Sequence, residues 1–369
     1  MITVGFPSSY RQGLGLLDEI GEACSTFGTR PLVVADTFVQ NEFRTRLNRS
    51  FSKSNITPIY LNFAGECSPE AIAEATKMAI ESECDSIIGM GGGKAIDTAK
   101  GVKIETRLPI IIVPTVASND SPTSRLAITY TKEGEFIGPR FLPFNPEAIF
   151  VDTAIIANAP TRFFIAGIGD ALVTKFEADQ CRAAGAKNFF GGQPTEAAMA
   201  LSDHCYRIVR QYGARAVADV DRNEVSEAVE KVTEANVLLS GLGFEGCGVA
   251  GAHAIGMALS LLPEIKGILH GEEVAIGLLA QFVLEDRGDE FFEDQLNFFR
   301  SVRLPASLPE VGFDDVGEAR LSEVATFAAR NSSRLHNMSF PINEQMVLDA
   351  LLRSDAMVRS FDAARLAAT

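Results

Sequence analysis

The chain lacks several features, and each absence excludes a class of protein. None of its six cysteines, at positions 24, 67, 84, 181, 205 and 247, pairs with another as C-x-x-C. That removes the zinc ribbon and the dithiol redox motif and reads them as scattered, reduced core residues. There is no dense run of Lys or Arg, and a net charge of −15 argues against a polyanionic partner such as nucleic acid. No apolar stretch reaches membrane-spanning length, and Met1-Ile2-Thr3-Val4-Gly5-Phe6-Pro7 has no basic region leading into a long apolar core. The expectation is a soluble cytoplasmic protein with no membrane partner. Internal repeats and low-complexity linkers are also missing. Histidine is scarce, with four in 369 residues, so each setting can be weighed against the others.

What is present begins with Ser86-Ile87-Ile88-Gly89-Met90-Gly91-Gly92-Gly93-Lys94, followed at helical spacing by Asp97 and Lys100. An apolar run that ends in glycines and reopens as a helix presents backbone N–H groups to a phosphate. Neither familiar spelling is met. G-x-G-x-x-G holds at Gly89 and Gly91 and fails at Lys94, and the Walker pattern fails at Ile88 and Ala95. Consecutive glycines with a following Lys still allow close backbone approach to a pyrophosphate beside one point charge, where a single glycine would read only as a tight turn. A nucleotide cofactor is the first expectation, with Gly91, Gly92, Gly93, Lys94 and Asp97 as its candidate residues.

At 46% hydrophobic residues over this length, two domains are expected. In the first half short β-branched runs alternate with amphipathic segments. Leu32–Asp36, Pro58–Asn62, Ser86–Gly89, Ile110–Val113 and Leu126–Tyr130 read as strands, and Gly13–Phe27, Thr37–Asn48, Ser68–Glu83 and Lys94–Glu105 as helices. This is a doubly wound α/β pattern. Pro160-Thr161 reads as the entry to a helix, and the remainder, including Asn223–Ser240 and Glu272–Leu284, is helical in texture. The expected division is an α/β dinucleotide-binding domain over 1–160 and an all-α metal-binding, catalytic domain over 161–369, packed with a cleft between them.

Four further settings bear on chemistry. Asp36 closes its strand where a carboxylate accepts from an adenosine ribose and repels a 2′-phosphate, favouring NAD; an N-cap for the next helix explains it equally well. The loop Pro114-Thr115-Val116-Ala117-Ser118-Asn119-Asp120-Ser121-Pro122-Thr123-Ser124 leaves a strand end with the polarity of the glycine turn and carries one acid, Asp120. His253 and His270 have small neighbours that leave room for a bound object, unlike His204 and His336. Asp170 follows Gly167-Ile168-Gly169 and reads as the opening of a helix over Asp170–Ala178. Singly these are two core histidines and a cap. Together, as one Asp and two His in a helical domain, they fit a catalytic metal site with an open position.

These motifs resemble one family. Gly91-Gly92-Gly93-Lys94-x-x-Asp97-x-x-Lys100, Pro114-Thr115-Val116-Ala117-Ser118-x-Asp120, Gly169-Asp170-Ala171-Leu172 with Phe176-Glu177-Ala178, and Ala252-His253-Ala254 with Leu269-His270-Gly271-Glu272 are similar to the glycerol dehydrogenase branch of the iron-containing alcohol dehydrogenase superfamily. The likeness begins at Ser9-Tyr10-Arg11-Gln12-Gly13 and runs nearly end to end. It implies an NAD-binding α/β domain, a helical domain sharing the dehydroquinate synthase architecture, a metal between them and a homo-oligomer. By resemblance, Asp170, His253 and His270 hold the metal and Asp120 contacts a substrate hydroxyl. Asp36, Gly93, Lys94, Thr115, Ser118, Ser124, Leu126 and Tyr130 line the dinucleotide. Iron-dependent members place a further histidine one helical turn after the aspartate; here Thr174 stands there, so zinc is expected in preference to Fe²⁺.

The activity implied is NAD-dependent oxidation of glycerol to dihydroxyacetone, or of a related small vicinal diol, by hydride transfer from an alkoxide held on Zn²⁺. Arg125 and Arg140 depart from the family pattern and read either as anion contacts or as solvated surface residues. The alternatives are a dehydrogenase of propane-1,2-diol, butane-2,3-diol or a 2-hydroxy acid, a lyase resembling dehydroquinate synthase, and a non-catalytic NAD-binding protein.

Overall fold

The computed structural model describes residues 1–367 apart from 261, 263, 264, 266 and 314–316. The chain forms two compact units: one is Gly5–Phe164 with Asp219–Gly241, the other Met1–Val4, Ile165–Ala218 and the chain from Leu242 onward. The boundary expected at 160/161 therefore needs two amendments. The first unit ends at Phe164, and residues 219–241 return to it although their helical texture matches the second half.

In the first unit, β1 (Ser9–Gly13), which lies outside the expected strands, precedes α1 (Ile20–Ser25), shorter than the expected Gly13–Phe27. Then β2 (Pro31–Asp36), α2 (Thr37–Lys53), β3 (Ile59–Phe63), α3 (Pro69–Glu81), β4 (Ser86–Gly91), α4 (Gly93–Thr106) and β5 (Ile110–Pro114) alternate as the sequence predicts. A hairpin, β6 (Leu126–Tyr130) and β7 (Phe136–Phe141), precedes β8 (Ala148–Asp152) and α5 (Thr153–Asn158). The six-stranded sheet is parallel throughout, in the order β1-β8-β5-β4-β2-β3. Its central strands β4 and β5 are buried at every position, as a sheet covered on both faces requires. β6 is a strand as expected, but it pairs antiparallel with β7 in a separate two-stranded sheet. Starts of helices follow local chemistry: Ser68 caps α3 by accepting from Ala71 N–H at 3.2 Å, with Pro69 as its first residue. Leu17, Val33, Phe51, Ile88, Ile111 and Phe150 share one core on this sheet.

The second unit contains most of α6 (Thr161–Ala184) and α7 (Glu196–Val220). Between them and the rest, α8 (Glu227–Glu234) belongs to the returning segment and runs through a π-helical turn, Ala235–Leu239, into α9 (Ser240–Cys247). Then follow α10 (Gly251–Leu259), α11 (His270–Leu284), α12 (Asp289–Val302), α13 (Glu318–Asn331) and α14 (Glu344–Ala367). Ile255, Leu259, Ile276, Leu321, Val347 and Leu351 lie in its core. Two backbone approaches position the candidate ligands. A Cβ on Gly271 would fall on the Ala166 carbonyl of α6, and one on Gly277 on the Ala252 carbonyl of α10. The small residues beside the histidines therefore serve helix-to-helix contact. Among the described residues no single helix is long and apolar enough to cross a membrane.

Candidate functional site

The phosphate-side residues gather at the carboxyl ends of β2 and β4. The chain goes outward from β2 to β3 and then returns to place β4 on the other flank of β2, so the winding reverses between them, which is where open α/β sheets hold ligands. Val34 lies opposite Gly89, so Asp36 and Gly91, each two residues further on, end adjacent strands. Asp36 fulfils its plainer reading: it caps α2, its Oδ1 accepting from Val39 N–H at 2.8 Å. Gly91 has φ +145°, a conformation open to glycine. Gly92 is the N-cap of α4 and no side chain caps that end, so the first-turn N–H groups of Gly93 and Lys94 and the helix dipole face an incoming anion. Lys94 Nζ lies 2.5 Å from Glu66 Oε1 and is mostly exposed.

The loop after β5 is held from two sides within the same unit. Thr115 N–H donates to the Gly91 carbonyl at 3.0 Å, tying loop to glycine turn. Lys100, wholly buried, donates to the carbonyls of Ser121 and Leu126, both at 2.6 Å, and to Ser124 Oγ at 3.2 Å. Asp97 accepts from Ser121 Oγ at 2.7 Å and from Ile128 N–H at 2.9 Å. The carboxylate of Asp97 is therefore a tie between α4, the loop and β6, and its place in the motif is explained by that role. On the other side stands the π-helical turn. Asn236 Nδ2 donates to the Ala117 carbonyl at 3.2 Å, Thr123 Oγ1 donates to the Val237 carbonyl, and Ser240 Oγ donates to Asp120 Oδ2 at 3.0 Å. π-Helical turns occur often at functional positions, and this one, with Ser240 just beyond it, aims three groups at one loop. Ser118 is half-buried in that loop, Ser124 is buried, Leu126 opens β6, and Tyr130 closes it against Phe136.

In the helical unit, Asp170, His253 and His270 each offer a ligand atom, all within 4.8 Å of one another. Asp170 lies in the middle of α6, not at the opening of a helix, and is fully buried. Its Oδ1 is 3.8 Å from His253 Nε2 and 3.7 Å from His270 Nε2. The rings are 5.2 Å apart, centroid to centroid. Each histidine turns its other nitrogen to a carboxylate: Nδ1 of His253 is 2.5 Å from Glu177 Oε2, and Nδ1 of His270 is 2.8 Å from Glu273 Oε1. An ionised carboxylate accepts, which favours the proton on Nδ1 and leaves Nε2, on the Asp170 side, as the ring nitrogen able to ligate a metal. One oxygen and two imidazole nitrogens, converging and oriented, fit a divalent ion with a position left for water or substrate.

Comparison with known proteins decides the family. Residues 7–153 match the description Iron-containing alcohol dehydrogenase. The chain is 42% identical to a glycerol dehydrogenase of Thermotoga maritima, over 96% of each chain, and 38% identical to a glycolaldehyde reductase of Halobacterium salinarum, over 96% of this chain and 97% of the other. The crystal structure of a probable glycerol dehydrogenase from Sinorhizobium meliloti 1021 superposes with a TM-score of 0.93 at 39% identity, covering 98% of this chain and 100% of that one. The chain belongs to the iron-containing alcohol dehydrogenase family. It groups there with the glycerol dehydrogenases and is an oxidoreductase of the alcohol dehydrogenase type. The family is NAD-dependent and metal-binding.

Thr174, one helical turn after Asp170, donates its hydroxyl to the Asp170 carbonyl at 3.2 Å. Arg125 stacks over Phe141 at 5.3 Å and Arg140 pairs with Glu105 at 2.5 Å, so both departures are engaged by the protein itself. All six cysteines are free. Burial pushes the Cys24 thiol up to about 11 and those of Cys67 and Cys247 up to about 12, far from a neutral-pH nucleophile. Sequence reasoning missed Glu177, Glu273, Asn236 and Ser240. Two of them had a signal: Glu177 lies two helical turns after Asp170, and Glu273 is three residues after His270.

Proposed function

We propose that the chain is an NAD-dependent, Zn²⁺-dependent dehydrogenase that oxidises glycerol, or a small vicinal diol like it, to the hydroxyketone with net formation of NADH and one proton. The observation that carries this reading is the cluster of Asp170, His253 and His270, with both imidazoles oriented by carboxylates. These three residues would hold the ion, and the absence of a histidine at position 174 supports zinc. When bound, the ion supplies Lewis acidity that lowers the pKa of a coordinated hydroxyl. Asp120, held by Ser240, accepts from a substrate hydroxyl. The first-turn N–H groups of Gly93 and Lys94 meet the pyrophosphate, and the Asp36 carboxylate takes the ribose hydroxyls and repels a 2′-phosphate. Cytoplasmic location belongs to the same proposal and is supported by six free thiols. Homo-oligomerisation is supported by exposed Phe136, Ile137, Phe141 and Phe144 on and beside β7.

The test is NADH formation from NAD⁺ with glycerol, propane-1,2-diol, butane-2,3-diol and 2-hydroxy acids, before and after chelation and with Zn²⁺ restored. The reverse reaction includes glycolaldehyde, because a relative of that name is 38% identical. Glycerol turnover that chelation abolishes and Zn²⁺ restores is expected. No turnover with any member would overturn the dehydrogenase reading, and chelator-insensitive turnover would overturn the metal assignment alone.

A further inference from the structure

The histidines of the cluster are not placed by their own helices alone. The start of α10 has Ala250 as N-cap and no cap of its own. Its N–H groups are taken by side chains from other helices: Glu177 Oε1 of α6 accepts from Ala250 and from His253, both at 2.8 Å, and Gln281 Oε1 of α11 accepts from Ala252 at 2.8 Å. The second oxygen of the same Glu177 takes His253 Nδ1. One fully buried carboxylate thus fixes both the backbone and the ring of His253. A carboxylate is a favourable partner for the N–H groups at a helix N-terminus. His270 is fixed more lightly. It is the first residue of α11, its side chain is 35% exposed, and its Nδ1 is met by Glu273 of the same helix.

We infer that Glu177 and Glu273 are positioning residues for the metal centre, which set the Nδ1–H tautomer of His253 and His270, and that Glu177 carries the larger share. The inference rests on the metal reading above. Its consequence is unequal: loss of the Glu177 acceptor misorients a ring with no other freedom, whereas His270 can exchange Glu273 for water.

Glu177→Gln and Glu273→Gln separate the roles. A glutamine at 177 keeps one oxygen for the Ala250 and His253 N–H groups but offers an amide donor to Nδ1, so the ring is driven to carry its proton on Nε2. Zn²⁺ affinity is measured on the full chain by competition with a chromophoric chelator, and the visible spectrum of Co²⁺ bound in place of Zn²⁺ reports ligand geometry. Glu177→Gln should weaken Zn²⁺ binding about 10–100-fold and alter the Co²⁺ bands, with Glu273→Gln showing a smaller loss. NADH affinity should be unchanged. Zn²⁺ affinity within twofold of the native chain, with an unchanged Co²⁺ spectrum, would overturn the inference. A native chain that takes no Zn²⁺ would overturn both it and the metal reading. Should Glu177→Gln fail to fold, the ¹⁵N resonances of the four histidines in the native apo chain decide: Nδ1–H tautomers at His253 and His270 are expected, and Nε2–H tautomers overturn it.

Discussion

The proposed dinucleotide cradle and the proposed metal centre are built by opposite means. In the cradle, Gly91, Gly92, Gly93 and Lys94 are sequence neighbours, and the working groups are backbone N–H donors at the start of one helix. In the metal centre the working groups are side chains from α6, α10 and α11, and each histidine depends on a further carboxylate for its orientation. The first depends on backbone conformation, above all at Gly91 with φ +145°, and no side-chain donor atom is needed for it. The second rests on close helix approaches at Gly271 and Gly277, but its chemistry is lost when a side-chain donor atom is removed.

That contrast can be broken by variants whose effects should fall on one side only. His253→Ala should lower kcat/KM about 10³-fold or more, the equivalent of about 4 kcal/mol, and abolish stoichiometric Zn²⁺ while leaving NADH affinity within about twofold. Because the chain has no tryptophan, bound NADH emission is read without protein interference. A parallel loss of NADH binding would show the two regions to be one cooperative structure. Gly91→Ala should do the reverse. At φ +145° it strains the turn by about 1–3 kcal/mol, so NADH affinity and the unfolding temperature fall while Zn²⁺ content stays at one per chain. Ser240→Ala should cost about 0.5–1.5 kcal/mol in substrate kcat/KM, through the Asp120 carboxylate it donates to, with Zn²⁺ and NADH binding intact. Asp36 separates two roles of one side chain. Asp36→Asn should relax discrimination against NADP⁺ at unchanged thermal stability, and Asp36→Ala should do so with a further loss of about 1 kcal/mol from the α2 cap, read by thermal unfolding. Equal unfolding temperatures for the two variants would remove the cap from the account.

The same contrast explains what the amino-acid order reveals. The glycine turn is legible because its parts are contiguous and its function is backbone geometry. The three proposed metal ligands are legible only as an unusual trio, since nothing local says that Asp170 faces His253 across helices. Glu177 and Glu273 escaped because a buried glutamate on an apolar helix announces a partner without naming it. Asp97 shows the converse: it sits in the phosphate motif, and the bonds its oxygens make are to Ser121 and Ile128, partners that its spacing does not name. The edge strand β1, Ser9–Gly13, is polar and half-buried, so no alternation marks it. The helical periodicity of 223–240 says that a helix forms and not which core it joins.

The return of residues 219–241 has a consequence for recombination. The chain passes from one unit to the other after Val4, Phe164, Ala218 and Gly241, so neither unit is a contiguous stretch of coding sequence. A chimera made by exchanging residues 1–160 with those of a relative would import a new Asp120 loop and leave the recipient's Asn236, Val237 and Ser240 to meet it. The unit of inheritance is therefore the pair of hydrogen-bonded segments, the loop after β5 and the π-helical turn, and crossovers that keep the two together are the ones that should preserve a working enzyme.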